Sequence, residues 1–260
     1  MNKEQSVTLL RQNKRKQVEA LQSLGFAGVS VATRASLFAD YIKWSGGLLD
    51  VRVAIVRISD GAHFYVTIQE WESLTNENKA KFVKQGVRIR ACQEDFILSA
   101  MALGTLAWGG TYDVATVPNY GQSGTSSVYN YSARTALELT NYINDAYGTT
   151  VRNSVTGSPA AKAALEYKAF KQAIDGVDDD SDWCLPLPKH CLILYRYINE
   201  INDVLRRAWS SDNILTTSSL WTCLECSNAN AWYFIMSYGG VADQAKTTPT
   251  TVRPITLLNS

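Results

Sequence analysis

Apolar positions along this chain change their period from one stretch to the next, and each period predicts a different kind of element. Near the start, Leu9, Leu10, Val18, Leu21 and Leu24 fall near helical spacing and are interrupted by Gly25. A second helical stripe, Leu37, Phe38, Tyr41, Ile42 and Trp44, is closed by Gly46-Gly47. The period then drops to two. Val51, Val53 and Ile55 alternate with Arg52, Ala54 and Val56, which predicts a strand, and Ser59-Asp60-Gly61 supplies a turn into a second strand over 63–68. A short helix is expected next, capped by Ser73 or Thr75, carrying Lys79, Phe82 and Val83 and ended by Gly86 in a left-handed conformation. Residues 87–90 and 96–98 predict further strands.

Residues 109–131 are rich in Gly, Ser, Thr, Tyr and Asn and read as a lead-in loop in which Tyr112, Tyr120 and Tyr129 pack. Helical spacing returns over 133–146, stopping at Gly148, and again from Ser158-Pro159 to near Gly176. A last helix carries Leu194, Tyr197, Ile198, Ile201, Val204 and Leu205 on one stripe, with Arg206-Arg207 placed to complement its C-terminal dipole.

Superimposed on these periods is an ordered series of landmarks: Asp182-Trp183-Cys184-Leu185-Pro186, Leu220-Trp221-Thr222-Cys223-Leu224-Glu225, Ala231-Trp232-Tyr233, Gly239-Gly240, Lys246 and Val252-Arg253-Pro254. The order resembles the skeleton of a C-type-lectin-like domain of the formylglycine-generating-enzyme-like or major paralogous type, over roughly residues 105–258. Domains of that type are abundant on gut-bacterial surfaces and in their phages. The resemblance implies two helices flanking a twisted, loop-rich sheet, with Trp183, Trp221 and Trp232 in the core. It also implies a rigid turn at Pro186 and a scaffold whose loops display a binding surface. Asn228, Asn230, Tyr233 and Tyr238 then become the candidate binding surface, because amide and tyrosine side chains suit adaptable recognition. The sequence departs from the skeleton where a capping box would open the last helix. Leu187 and His190 stand where Ser and Glu or Gln are customary, so the box is expected to be lost, at about 1 kcal/mol. The stretch from Gly61 to Ala100 also looks like a module that precedes such domains.

Composition narrows the function classes. A hydrophobic share of 46% excludes wholesale disorder, and a net charge of +1 argues against a general nucleic-acid binder. No run of residues has the apolar length of a membrane span. The basic N-terminal stretch lacks the apolar core of an export signal, so reduced thiols are expected for the five cysteines. A display-type domain without an export route points to a virion protein, assembled in the host cytoplasm and released by lysis.

Candidate chemistry is sparse. Cys223 and Cys226 form a C-x-x-C that Cys184 and Cys191 would complete as a zinc set, but the 184–191 spacing matches no ordinary knuckle, and incidental thiols are the competing reading. Asp175, Asp178, Asp179, Asp180 and Asp182 lack calcium-loop spacing and read as a solvated acidic loop. The two histidines, His63 and His190, are far apart in sequence, and no nucleophile motif accompanies them.

The expectation is therefore an α+β protein in three parts: an N-terminal helical attachment segment (1–47), a small α/β domain (48–108) and a lectin-like domain (109–260). It is expected to be a phage virion component, such as a head or tail fibre or decoration protein of a crAss-like phage, with no enzymatic activity, cofactor or metal. Its expected partners are other virion proteins, a host surface glycan or protein, and copies of itself, trimers in the first instance. Neither specific nucleic acid nor membrane insertion is expected. Two alternatives stay open: a decoration or head-fibre protein with no receptor role, and a non-virion bacterial binding protein.

Overall fold

The computed structural model describes residues 49–114, 135–170 and 178–258. The N-terminal attachment segment, most of the lead-in loop and Asp175 lie outside the described residues. Among those described, the chain is mixed α+β, with antiparallel sheets and helices packed against them.

Six strands form the larger sheet, in the order β2-β1-β3-β4-β13-β8. They are β1 (Asp50–Arg57), β2 (His63–Val66), β3 (Phe82–Ala91), β4 (Glu94–Ser99), β8 (Trp183–Cys184) and β13 (Ile255–Leu257). The alternation in β1 sends Val53 and Ile55 into the main core while Ala54 joins Ile97 and Trp183 in a second cluster on the opposite face. Because β8 and β13 complete this sheet, the sequence boundary at residue 108 does not separate two sheets. The pairing of β13 with β4 joins residues that the chain places more than 150 positions apart (Ile255↔Leu98).

The hairpin connecting β1 and β2 turns at 58–62, as its Ser-Asp-Gly signal predicts. Two short helices, α1 (Ile68–Ser73) and α2 (Asn76–Lys79), then lead to β3. The Thr67 hydroxyl accepts from the Glu70 N–H at 3.2 Å and the Glu70 carboxylate accepts from the Thr67 N–H at 2.7 Å, a complete capping box on α1; Thr75 caps α2.

Phe82, Val83 and Gly86 belong to β3 and not to a helix, which corrects the expectation for that stretch. The reason for Gly86 is contact: a Cβ there would lie 2.3 Å from the Leu98 carbonyl oxygen. The register slips at this point. Ala54 faces Gly86 while Ile55 faces Lys84, so Gln85 is the extra residue of a β-bulge.

A five-stranded sheet, in the order β11-β10-β9-β12-β5, lies across the core. It comprises β5 (Thr105–Leu106), β9 (Leu220–Glu225), β10 (Asn230–Ile235), β11 (Gly240–Ala245) and β12 (Thr250–Thr251). A small hairpin, β6 (Val151–Arg152) with β7 (Val155–Thr156), links α3 (Ala136–Tyr147) and α4 (Pro159–Leu165). Thr135 and Glu138 form a second capping box on α3, and Gly148 closes it with φ +51°.

Three helix expectations need correction. Ser158 stands at the N-cap of α4 with Pro159 following it, but its hydroxyl makes no cap bond and instead donates to the Trp108 carbonyl at 2.5 Å. Helix α4 stops at Leu165, because the chain then turns so that Tyr167 packs edge-on against Trp183, ring centroids 4.8 Å apart. The last helix is two, α5 (Pro188–Arg196) and α6 (Ile198–Ala208), broken at Tyr197 with φ −118° and ψ 29°. The break lets α5 pack on β10 while α6 covers β1 and β3. Among the described residues no helix is long and apolar enough to cross a membrane.

Candidate functional site

The candidate surface is built on β9, β10 and β11, and its rigidity comes from what lies beneath it. Trp108, Trp183, Trp221 and Trp232 are all buried. Each of the first three has its indole N–H satisfied. Trp108 donates to the Thr222 carbonyl at 2.8 Å, Trp221 to the Leu106 carbonyl at 2.8 Å, and Trp183 to the Asp179 carboxylate at 2.8 Å. Pro186 contributes through its carbonyl, which accepts from the Cys223 N–H at 3.0 Å and ties the segment before α5 to β9.

Two landmark residues whose role sequence reasoning left open form the main internal brace. Lys246 and Glu225 are both fully buried and paired through a short contact between Nζ and Oε1. The Lys246 ammonium also donates to the carbonyls of Tyr112 at 2.6 Å and Asn228 at 3.2 Å, and it lies 5.0 Å from the Trp108 ring centroid. Glu225 accepts in addition from the Val114 N–H, at 3.2 and 3.3 Å. Burial pushes the Glu225 carboxyl up to about 7 despite its lysine partner, and pushes the Lys246 ammonium down. The pair thus fastens the 112–114 segment and the turn at Asn228 to the same point.

Arg253 plays a comparable part at the other end. Its guanidinium is buried and donates to backbone carbonyls only: Ser99 at 3.1 Å, Ala100 and Asn213 at 2.8 Å each, and Ile214 at 3.5 Å. Burial lowers its pKa to about 10. It is a structural cross-brace between the loop after β4 and the short 3-10 turn at Ser211–Asn213.

On this frame the candidate binding residues are spread out. Asn228 is exposed in the turn before β10, and Tyr238, 62% exposed, stands in the turn after it. Five residue steps of β10 put these turns about 17 Å apart along the strand. Between them, Asn230 spends an amide N–H on Asp243 at 2.7 Å, and Tyr233 packs edge-on against Trp221 with centroids 6.1 Å apart. The structure therefore brings together Asn230 with Asp243 and Tyr233 with Trp221, while Asn228 and Tyr238 project at opposite ends. Gly239 fits the Tyr238 turn for two reasons: its φ is +76°, and a Cβ there would meet the Tyr195 ring at 2.2 Å.

The acidic stretch before Trp183 is not uniformly solvated. Asp178, Asp180 and Asp182 are exposed, but Asp179 is 1% exposed and accepts from four donors. These are Trp183 Nε1, the Ala169 N–H at 2.7 Å, the Ser181 N–H at 3.2 Å and Gln85 Nε2 at 3.3 Å. A buried carboxylate surrounded by N–H groups is stable only because every oxygen lone pair finds a donor.

The capping box at α5 is half retained. Leu187 has no acceptor to offer, yet His190 Nδ1 accepts the Leu187 N–H at 3.1 Å. That bond leaves the proton on Nε2, which faces Glu94 at 3.2 Å. Both ring nitrogens of this buried histidine are thereby committed. All five cysteines are free thiols. Cys184, Cys191 and Cys223 are buried, which raises their thiol pKa, and burial lifts Cys226 to about 11. Among the described residues no three His, Cys, Asp or Glu side chains are grouped to hold a metal ion.

Comparisons with protein-family models and with curated proteins find no match to this chain, so its function rests on the geometry described above.

Proposed function

We propose that this chain is a phage virion structural protein whose C-terminal part is a C-type-lectin-like domain, displaying turn residues for attachment to a host surface glycan or protein. The observation that carries this reading is the contrast across β10. Trp232 and Phe234 are buried, while the turns at both ends of the strand hold Asn228 and Tyr238 in solvent. A surface of this kind keeps its shape when its exposed side chains change, which suits recognition. The packing of α3 on β9 and of α4 on β8 supports the lectin-like arrangement of helices beside a loop-rich sheet. In this reading residues 1–47 attach the protein to capsid or tail, and copies associate as trimers.

Two measurements test it. Mass spectrometry of purified particles should contain this chain; its absence would defeat the virion assignment. Replacing Asn228 and Tyr238 together by Ala should reduce adsorption of particles to host cells by about tenfold or more, the scale of losing two contact residues. Unchanged adsorption would remove these turns as the receptor surface.

A further inference from the structure

We propose that Arg152, Tyr112 and Asn228 form a binding site for a carboxylate-bearing sugar. The proposal rests on the attachment reading for its biological partner, and it narrows that partner to an acidic glycan. Arg152 ends β6, just before a tight turn in which Asn153 and Ser154 have φ of +51° and +65°. Its guanidinium lies over the Tyr112 ring, 4.0 Å from the centroid, and 5.5 Å from the centroid of Tyr147. Tyr112 is 37% exposed and meets the Tyr147 ring edge-on at 5.6 Å. The Tyr147 hydroxyl donates to the Gly110 carbonyl at 2.6 Å, and Asn153 Nδ2 donates to Thr111 Oγ1 at 2.7 Å. The hairpin and the 110–112 segment are thus fixed to each other on both sides of the arginine.

What Arg152 lacks is an anion. Among the described residues it makes no ion pair, and its side chain has a single long hydrogen bond, to the Tyr147 carbonyl at 3.5 Å. Asp113, exposed and next to Tyr112 in the chain, is not paired with it. An arginine placed over an aromatic ring keeps its planar N–H fork available for a carboxylate. Bidentate pairing of that kind is among the stronger charge-assisted contacts. The Tyr112 backbone connects this arginine to the attachment surface. Its N–H donates to the Asn228 carbonyl at 2.8 Å, and the Lys246 ammonium bridges the carbonyls of Tyr112 and Asn228. Thr111, Asn153 and Asn228 are exposed and carry hydroxyl and amide groups, which suit the hydroxyls of a sugar. An acidic peptide would gain less from these neutral groups, because protein partners draw their affinity from apolar anchors seated in pockets.

The test uses the full isotope-labelled chain and follows the backbone amide resonances of Tyr112, Asn153 and Asn228. Sodium D-glucuronate should shift all three saturably, with a Kd of about 1 mM or tighter. Methyl β-D-glucoside has the same ring without the charge and should bind about tenfold or more weakly. Arg152→Gln should weaken glucuronate binding to a similar extent, and Arg152→Lys, which keeps the charge but loses the fork, should recover only part of it. No response to glucuronate, an equal response to the glucoside or to sodium acetate, or an unchanged Kd in Arg152→Gln would each overturn the proposal. Tighter binding of a triglutamate peptide than of glucuronate would overturn it as well. Adsorption separates this site from the attachment reading. If glucuronate binds and depends on Arg152 while particles carrying Asn228→Ala and Tyr238→Ala adsorb normally, the site stands and the attachment reading falls.

Discussion

The indole N–H of Trp183 donates to the carboxylate of Asp179 at 2.8 Å, and both residues are buried. The same carboxylate accepts the backbone N–H groups of Ala169 and Ser181, so one side chain organises the chain on both sides of residues 171–177. Asp179→Ala strands these donors together, and each buried donor without a partner costs about 1–3 kcal/mol. Since the donors relax in part, the expected loss is about 2–4 kcal/mol in urea-unfolding stability. Asp179→Asn keeps one good acceptor and should lose less. A variant within about 0.5 kcal/mol of the parent would show that water replaces the carboxylate without penalty.

Lys246 and Glu225 allow a sharper test because neither touches solvent. Removing one member leaves the other as an unpaired buried ion, at about 3–5 kcal/mol, whereas removing both as apolar isosteres often restores stability. Lys246→Met and Glu225→Leu should therefore each be strongly destabilising, and the double variant much less so than their sum. Chemical denaturation of all four proteins reads the coupling directly. Additive losses would mean that the two side chains act through packing alone.

Acid should destabilise the fold through α5. Burial holds the His190 imidazole below its usual pKa, with Glu94 pulling the other way. The unfolded chain then takes up a proton near pH 6.5 that the folded chain resists, so stability is present above that pH and declines as pH falls below it. Protonating Nδ1 would also remove the acceptor of the Leu187 N–H. Burial works against the Glu94 charge, but hydrogen bonds from His190 and Lys189 prevail and hold its carboxyl at about 2. Its contribution is complete above the unfolded value near 4.5 and is lost on further acidification. Glu225, raised to about 7 by burial, acts in the opposite sense across the upper range. The informative readout is thus the difference in urea midpoint between the parent and a His190→Gln variant. That difference should shrink between pH 7 and pH 5, and a constant difference would refute the role given to the imidazole.

The hairpin between β3 and β4 turns on Cys92 and Gln93, with φ of +53° and +68°. Two consecutive left-handed residues define a tight primed turn, for which Asn-Gly is the favoured pair. Cys92→Asn with Gln93→Gly should raise stability by about 0.5–1 kcal/mol, seen as a higher melting temperature. A lower melting temperature would mean that the Cys92 or Gln93 side chain contributes more than the backbone strain it imposes.

Much of the local structure was legible because short-range rules decide it. Alternation marked β1, the Ser-Asp-Gly turn placed the first hairpin, Thr75 capped its helix, and Gly148 ended α3. The tryptophans at 183, 221 and 232 are buried, an expectation that came from the resemblance of their spacing to the lectin-like landmarks. The failures have one physical origin. Gly86 looked like a helix terminator, but its lack of a side chain answers to the Leu98 carbonyl on a neighbouring strand. The 92–93 turn carries no glycine or asparagine signal, and Asp179 resembled its solvated neighbours.

What the sequence by itself determined was the period of each segment, the caps that bound it and the apolar side chains available for burial. Only the tertiary structure decided which polar residues would meet inside: Glu225 with Lys246, Asp179 with Trp183, Arg253 with the carbonyls of the 99–100 and 213–214 segments. Helical and strand periods arise from contacts a few residues apart, whereas a buried charge finds its partner only when distant segments close around it and exclude water.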